Sequence, residues 1–477
     1  MTQILRNARE TPPLPSRARW AVLAVVLAAD VLDLLDATIT NIAAPTITRD
    51  LGGGASLVQW LGASYALALG VLLVPGGRLG DKYGRRRLFL IGLAGFVAAS
   101  LACGLAPSPV VLVAARLVQG AFGALVIPQG FGILGATWPR EEIGKAFSLF
   151  GPVMGLSAVG GPILAGFLVD ADLAGLGWRP MFLINLLLGG AALLAAARLL
   201  PRDAGDPSVS VDGPGSVLLA GAMLGLLGGL IDGSAAGWAS RPLALLLLGL
   251  ALFAAFCQRQ RTATEPLIRP TLLHNRGFTS GLILGVLAFA AVAGLLYVVS
   301  LYFQQGLGRS PAGTALGLIP LSAGIVVASI ACYRLIHAYG RRLVVAGLLT
   351  ILAGCGYLAV LANGAARPGS WALVPPLLLI GLGMGTCFGT VYDVTIGDIT
   401  PEEAGSASGS LNAVQQLANA IGAAAVTTVY FRAADHATDG GETHALLASL
   451  AVVAAAVTLC LPLVRLLPRK PQEGHGH

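Results

Sequence analysis

Apolar runs of twenty residues or more recur from one end of the 477-residue chain to the other. Each is long enough for an α-helix to cross about 30 Å of hydrocarbon. A segment in lipid must satisfy its own backbone hydrogen bonds, which leaves helices or closed barrels. The sequence does not show the short alternating segments of a membrane barrel. Composition agrees with helices: 56% of residues are hydrophobic and 11% charged, where a soluble domain carries about a quarter charged. Mean hydropathy is +0.79. The expected fold class is therefore an all-α polytopic membrane protein.

Helices are expected near 20–47, 56–77, 88–106, 109–137, 146–169, 181–200, 214–232, 241–257, 278–304, 312–333, 343–363, 371–397, 405–431 and 445–467. That makes 14 transmembrane helices and puts both termini on one side. The first run is too long for a signal-peptide core and lacks a convincing cleavage site, so it reads as an uncleaved first span. With the termini and the loops after even-numbered helices placed in the cytoplasm, 23 of the 30 basic residues fall there and six fall opposite. Arg116 alone lies inside a helix. This asymmetry follows the positive-inside rule, with both termini cytoplasmic. It accounts for the net charge of +7 as topology with some attraction to anionic lipid, and no nucleic-acid partner is needed. The six cysteines lie in apolar runs without metal-ligand spacing and read as buried small hydrophobes. No phosphate loop of the G-x-x-x-x-G-K-[ST] type occurs, which argues against an ATP-driven pump. Neither a nucleophile–base pair nor a soluble catalytic domain points to an enzyme, and no metal or cofactor is expected.

The chain contains a repeat. The stretch Gly77 to Arg86, "GRLGDKYGRR", has a counterpart 256 residues later at Tyr333 to Arg342, "YRLIHAYGRR". Glu141 to Ala146 pairs similarly with Glu402 to Ala407. Both matches join cytoplasmic loops to cytoplasmic loops, so the two copies run parallel, one of the ways transporters are assembled. The expected organisation is a cytoplasmic tail (1–19), a six-helix bundle (20–200), a linker containing inserted helices 7 and 8 (201–277), a second six-helix bundle (278–467) and a cytoplasmic tail (468–477).

At this point the residues resemble the major facilitator superfamily, in particular its fourteen-spanner drug:proton antiporters. The loop after helix 2 is similar to the signature G-x-L-a-D-r-x-G-r-k, filled by Gly77, Leu79, Asp81, Gly84, Arg85 and Arg86. Helix 4 carries Arg116, Gln119 and Gly120, similar to R-x-x-q-G. Helix 5 carries Gly161, Pro162 and Gly166, similar to the exporters' G-P-x-x-G-G with Ala165 in place of one glycine. The stretch "LDATITN" from Leu35 to Asn41 resembles the subgroup's L-D-x-T-I-x-N. Gln59, Trp60 and Tyr65, together with Trp178, Arg179, Phe182 and Asn185, also fit that subgroup.

Asp33 and Asp36 stand three residues apart and share one helix face. A charge at mid-bilayer costs about 2.5–3.5 kcal/mol on insertion scales, so that face is expected to line a wet cavity. Such a carboxylate can take a proton on one side and release it on the other, and can also neutralise a bound cation. Competition between the two ligands is the core of an antiport mechanism. A structural pairing with Arg116 is the competing account, and Asp30 extends the same stripe. The resemblance implies a coupling role for Arg116. Asp393, in expected helix 12, is a candidate proton or substrate site of the second half. The resemblance also implies that Gly77, Asp81, Gly84, Arg85 and Arg86 form a cytoplasmic clasp, with the start of helix 13 at Gly405 to Ser408 as its acceptor. His337 replaces the acid in the second copy, so only one half carries the full clasp. Gly161, Pro162 and Gly166 form an expected hinge in helix 5. Trp60, Tyr65, Asn412, Gln415 and Gln416 are candidate cavity-lining residues.

The expected function is a proton-coupled secondary exporter of amphiphilic, cationic organic compounds, monomeric, in the plasma membrane and driven by the proton gradient without a cofactor. The alternatives are a dedicated exporter of an endogenous product, such as an antibiotic, a siderophore or a lipid, and a membrane sensor that transports nothing.

Overall fold

A computed structural model of the chain describes residues 15–467, apart from 140–141, 143–145, 147–148, 237, 264–265, 269, 365–367, 397–403 and 436–440. Fourteen helices of twenty residues or more follow one another among these, and no strand occurs among the described residues. They are α1 (Ser16–Leu51), α2 (Gly54–Tyr83), α3 (Arg85–Gly104), α4 (Pro109–Thr137), α5 (Phe150–Asp170), α6 (Pro180–Leu199), α7 (Gly213–Ala236), α8 (Ser240–Thr262), α9 (Arg276–Leu301), α10 (Ile319–Tyr339), α11 (Arg341–Gly364), α12 (Val374–Ile396), α13 (Ala404–Asp435) and α14 (Gly441–Leu463). Of these, α2, α3, α4, α6, α7, α8, α9, α11 and α14 are long and apolar enough, over their described residues, to cross a membrane. Two shorter apolar helical stretches, Ile319–Cys332 and Val374–Cys387, join them. α1 interrupts its apolar character with Asp30, Asp33 and Asp36.

Local chemistry sets several helix ends. Ser108 caps α4 by accepting a hydrogen bond from Val111 N at 3.5 Å, with Pro109 at the first helical position. Asn275 caps α9 by accepting from Phe278 N at 3.1 Å. The stretch expected as one helix over 312–333 is split into Pro311–Gly317 and α10. Pro320 supplies no N–H to the preceding turn, so the helix re-starts there. The signature expected as a loop lies mostly inside α2, which continues to Tyr83 because nothing before Gly84 breaks it. Gly84, with φ +96°, makes the turn into α3, a backbone conformation that L side chains rarely adopt.

α1 to α6 form one bundle, with core layers around Val22, Phe89 and Leu134 and around Ile39, Leu112 and Phe182. α9 to α14 form the second, around Leu295, Val299, Ile351, Leu377 and Leu446. α7 and α8 pack on each other as a hairpin, and α7 also lies against α2 and α13, one from each bundle. Leu67, Val71, Met223, Leu227 and Ala420 make a small core at that three-helix seam. Lipid supplies no hydrophobic force between helices, so close backbone approach carries the packing. Gly120 of α4 sits directly on the Tyr65 carbonyl of α2, where any Cβ would overlap it.

Candidate functional site

The buried polar centre of the first bundle is built by α1, α3, α4 and α6. Asp36 and Arg116 form an ion pair, and each is 1% exposed. Gln119, one turn after Arg116, accepts from its Nη1 at 2.7 Å and donates from Nε2 to Asp36 Oδ1 at 2.9 Å. Asn185 of α6 donates to the same Asp36 oxygen at 2.7 Å. Ser100 of α3 accepts from both amides, at 2.6 Å from Gln119 and 3.2 Å from Asn185. The guanidinium carbon lies 4.4 Å from the Tyr65 ring centre and 5.7 Å from that of Phe182. A buried pair repays its desolvation only when its remaining lone pairs and protons are satisfied; amides and ring faces surround this one, and Arg116 Nε alone of the guanidinium is buried without a hydrogen-bond partner.

The three carboxylates in the middle of α1 differ in company. Asp33 is partly buried and accepts a hydrogen bond from the Tyr65 hydroxyl. Asp30 is 8% exposed, and neither of its oxygens has a hydrogen-bond partner. Asp36 is enclosed by four helices rather than open to a wet cavity. Tyr65, a candidate for cavity lining, is fully buried in this cluster. Trp60 faces Gly228 of α7 instead. In the sequence, Gln119 and Asn185 stand out only as motif letters, although their spacing from Arg116 and Trp178 is visible. Ser100, a lone serine in an apolar helix, carried no signal.

The signature residues gather at the other end of α2. Asp81 accepts from Arg85 Nε at 3.1 Å and Nη2 at 2.9 Å, and Arg85 Nη1 donates to the Gly132 carbonyl of α4 at 2.7 Å. Asp203, in the connection between α6 and α7, accepts from the backbone N–H groups of Arg85 at 2.5 Å and Arg86 at 3.1 Å, so it caps α3 from a distance. Arg86 Nη2 donates to the Ala197 carbonyl of α6 at 2.7 Å. Gly77 packs near Pro128 of α4. Within the described residues the clasp is thus tied into its own bundle. The side chains of Ser406 and Ser408, at its expected acceptor, lie outside the described ones.

In α5, Gly161 sits against Thr38 and Leu35 of α1, and Gly166 against the backbone of Ala312 in the second half. The side chains of Pro162, Asp393, Asn412 and Gln416 lie outside the described ones. Gln415 is partly buried on α13. At the α1–α2 end, Trp178 Nε1 and Arg179 Nη1 both donate to Asp50, at 2.9 and 3.1 Å. The Trp178 hydrogen bond, with the Arg179 pairing second, holds the Asp50 carboxyl below the usual carboxylate range. Polar contacts between the halves among the described residues include Gln59 Nε2 to Thr427 Oγ1 at 2.8 Å and Ser310 Oγ to Asp170 at 3.2 Å. Among the described residues no group of three metal-ligating side chains occurs.

The chain is 42% identical over 425 residues to the "Probable actinorhodin transporter" of Streptomyces coelicolor, covering 88% of this chain and 74% of that one. It is 35% identical over 420 residues to the "Tetracenomycin C resistance and export protein" of Streptomyces glaucescens, covering 87% and 76%. A solved POT family transporter in complex with a thioalcohol conjugated peptide has the same fold, with a TM-score of 0.67 at 14% identity over 92% of this chain and 95% of that one. The family model of the Major Facilitator Superfamily matches residues 26–423, most of the chain, and the chain belongs to the Major Facilitator Superfamily.

Proposed function

We propose that the protein is a proton-coupled secondary exporter of amphiphilic organic compounds, a dedicated antibiotic-type product among them. The export direction rests on relatives named for antibiotic transport, resistance and export. The observation that carries proton coupling is the enclosed Asp36–Arg116 pair with its amide partners. A proton on Asp36 cancels the charge that holds Arg116, and with it the strongest polar contact between α1 and α4. The cost of separating the two helices then falls, and the bundle can re-pack. Returning the proton restores the pair. A gradient can thus drive a rearrangement with no cofactor and no covalent chemistry, in a small-molecule transporter rather than an enzyme. Asp33 and Asp393 remain assigned to the same proton or substrate traffic. In this reading the chain works as a monomer in the plasma membrane with both termini cytoplasmic, and its basic loops face anionic lipid.

The experiment is purified protein in liposomes under an imposed proton gradient, with amphiphiles added singly. Wild-type protein dissipates the gradient when its cargo is added. Asp36→Asn, inserted and folded, does not. Cargo-driven gradient loss that persists undiminished in Asp36→Asn overturns the coupling assignment.

A further inference from the structure

A cavity of about 720 Å³ opens between the two halves at the α1–α2 end of the molecule, within the roughly 300–1,000 Å³ range of small-molecule sites. It begins at Pro45, nine residues beyond Asp36 on α1, or about 14 Å at the helical rise. A molecule held there does not touch the ion pair. One half contributes Thr48 and Arg49, the other Tyr297, Gln304, Arg309 and Phe431.

We infer that this cavity takes the cargo by an acidic group, so that the transported compound is an anionic aromatic amphiphile. This rests on the exporter reading above. Among the described residues, the charged ones lining the cavity are two arginines, one from each half, and no carboxylate is among them. Two acids lie near it: Asp170 accepts from the lining Ser310 hydroxyl, and Asp50, next to Arg49 in sequence, accepts from Trp178 and Arg179. Neither Arg49 nor Arg309 has a carboxylate partner among the described residues. Arg49 reaches only Thr46 Oγ1, at 3.4 Å. Arg309 is oriented by the Phe303 ring, 4.6 Å from its guanidinium carbon, and by Ser370 Oγ at 3.1 Å. A guanidinium held in place loses little further freedom on pairing, and its fork matches a carboxylate, sulfonate or phenolate.

The rest of the lining suits the remainder of such a molecule. Tyr297 and Phe431 offer aromatic surface to fused rings. Gln304 offers both a donor and an acceptor for ring oxygens. Thr48 lines the same space, and its hydroxyl oxygen is buried without a hydrogen-bond partner. A cationic cargo fits the α1 carboxylates considered alone. Asp36, however, is occupied by Arg116, Gln119 and Asn185, and Asp33 by Tyr65, while Asp30, without a partner, stands 15 residues before Pro45 on α1. A cation in the cavity meets two like charges instead. Because the two arginines belong to different halves, the acid-binding pair exists only while this end of the molecule holds both together.

The test uses the full-length protein in detergent and three probes on one ring system: anthraquinone-2-carboxylate, its methyl ester, and 2-(aminomethyl)anthraquinone. Binding is read by quenching of tryptophan fluorescence. The carboxylate is expected to bind at least about tenfold tighter than ester or amine, the scale of one charge-assisted hydrogen-bonded contact. Arg49→Gln/Arg309→Gln is expected to abolish that preference, while Arg49→Lys/Arg309→Lys, which preserves both charges, retains most of it. Equal or tighter binding of the amine, or a preference that survives the double glutamine substitution, overturns the inference. Phosphatidylglycerol has the same charge, so binding is repeated with it present. Abolition of the carboxylate preference by the lipid assigns the arginines to a headgroup and also overturns the inference. Liposome flux separates this from the exporter reading. Carboxylate binding without gradient-coupled flux sinks the exporter and leaves the anionic site. Flux of the amine without carboxylate preference does the reverse.

Discussion

At the scale of single residues, the first bundle depends on one enclosed charge pair and on the groups that make it tolerable. Arg116→Met leaves Asp36 buried without its cation, a loss of about 3–5 kcal/mol by analogy with broken buried pairs. Arg116→Met/Asp36→Leu removes both charges and is expected to recover most of that stability while abolishing gradient-driven export. Thermal melting in detergent, alongside liposome flux, checks the pair of outcomes. A double variant as unstable as the single one contradicts the account of the pair. Asp50 offers a pH-dependent counterpart outside the membrane. Its carboxyl is held below the ordinary range by Trp178 and then Arg179, so its contribution is complete at neutral pH. It fades only as the pH falls through the lowered carboxyl pKa, in the acid range. Trp178 fluorescence should therefore change in that acid range in the wild type, and Asp50→Asn should remove the transition.

At the scale of elements, the connection between α6 and α7 proves to be part of the signature region. Asp203 caps α3, Asp206 N donates to the Asp81 carbonyl at 2.8 Å, and Arg86 holds the end of α6. Asp203→Ala strips two backbone N–H groups of their acceptor, at about 1 kcal/mol by analogy with N-cap loss. Asp203→Asn keeps an acceptor and should behave nearly as wild type. The expected phenotype of the alanine variant is lower turnover with cargo affinity within about twofold, measured as initial flux against cargo concentration. The element boundaries were legible because apolar runs and capping residues such as Ser108 and Asn275 are local. The break before α10 was legible in principle from Pro320. The capping role of Asp203 was not, since it joins residues 117 and 118 positions apart in sequence.

At the scale of the whole molecule, α7 closes the seam between α2 and α13, and Gln59–Thr427 and Ser310–Asp170 join the halves. Transport by alternation requires such contacts to open. Gln59→Cys/Thr427→Cys, bridged by a short thiol crosslinker in a background free of native cysteines, should stop flux, and cleavage of the crosslink should restore it. Undiminished flux through fully crosslinked protein means that this seam does not move.

The sequence by itself determined the class of fold, since apolar run length, basic-loop asymmetry and the internal repeat are each one-dimensional records of a membrane's thickness, its sidedness and a duplicated bundle. It also singled out Asp36 and Arg116, because charge inside an apolar helix is costly wherever the chain goes. Tertiary structure alone decided what those charges meet. Whether a carboxylate faces water, cargo or an arginine depends on neighbours that lie 80 and 149 positions away. Only packing of α1 against α4 and α6 encloses Asp36, and only the meeting of the two halves brings Arg49 and Arg309 to one cavity.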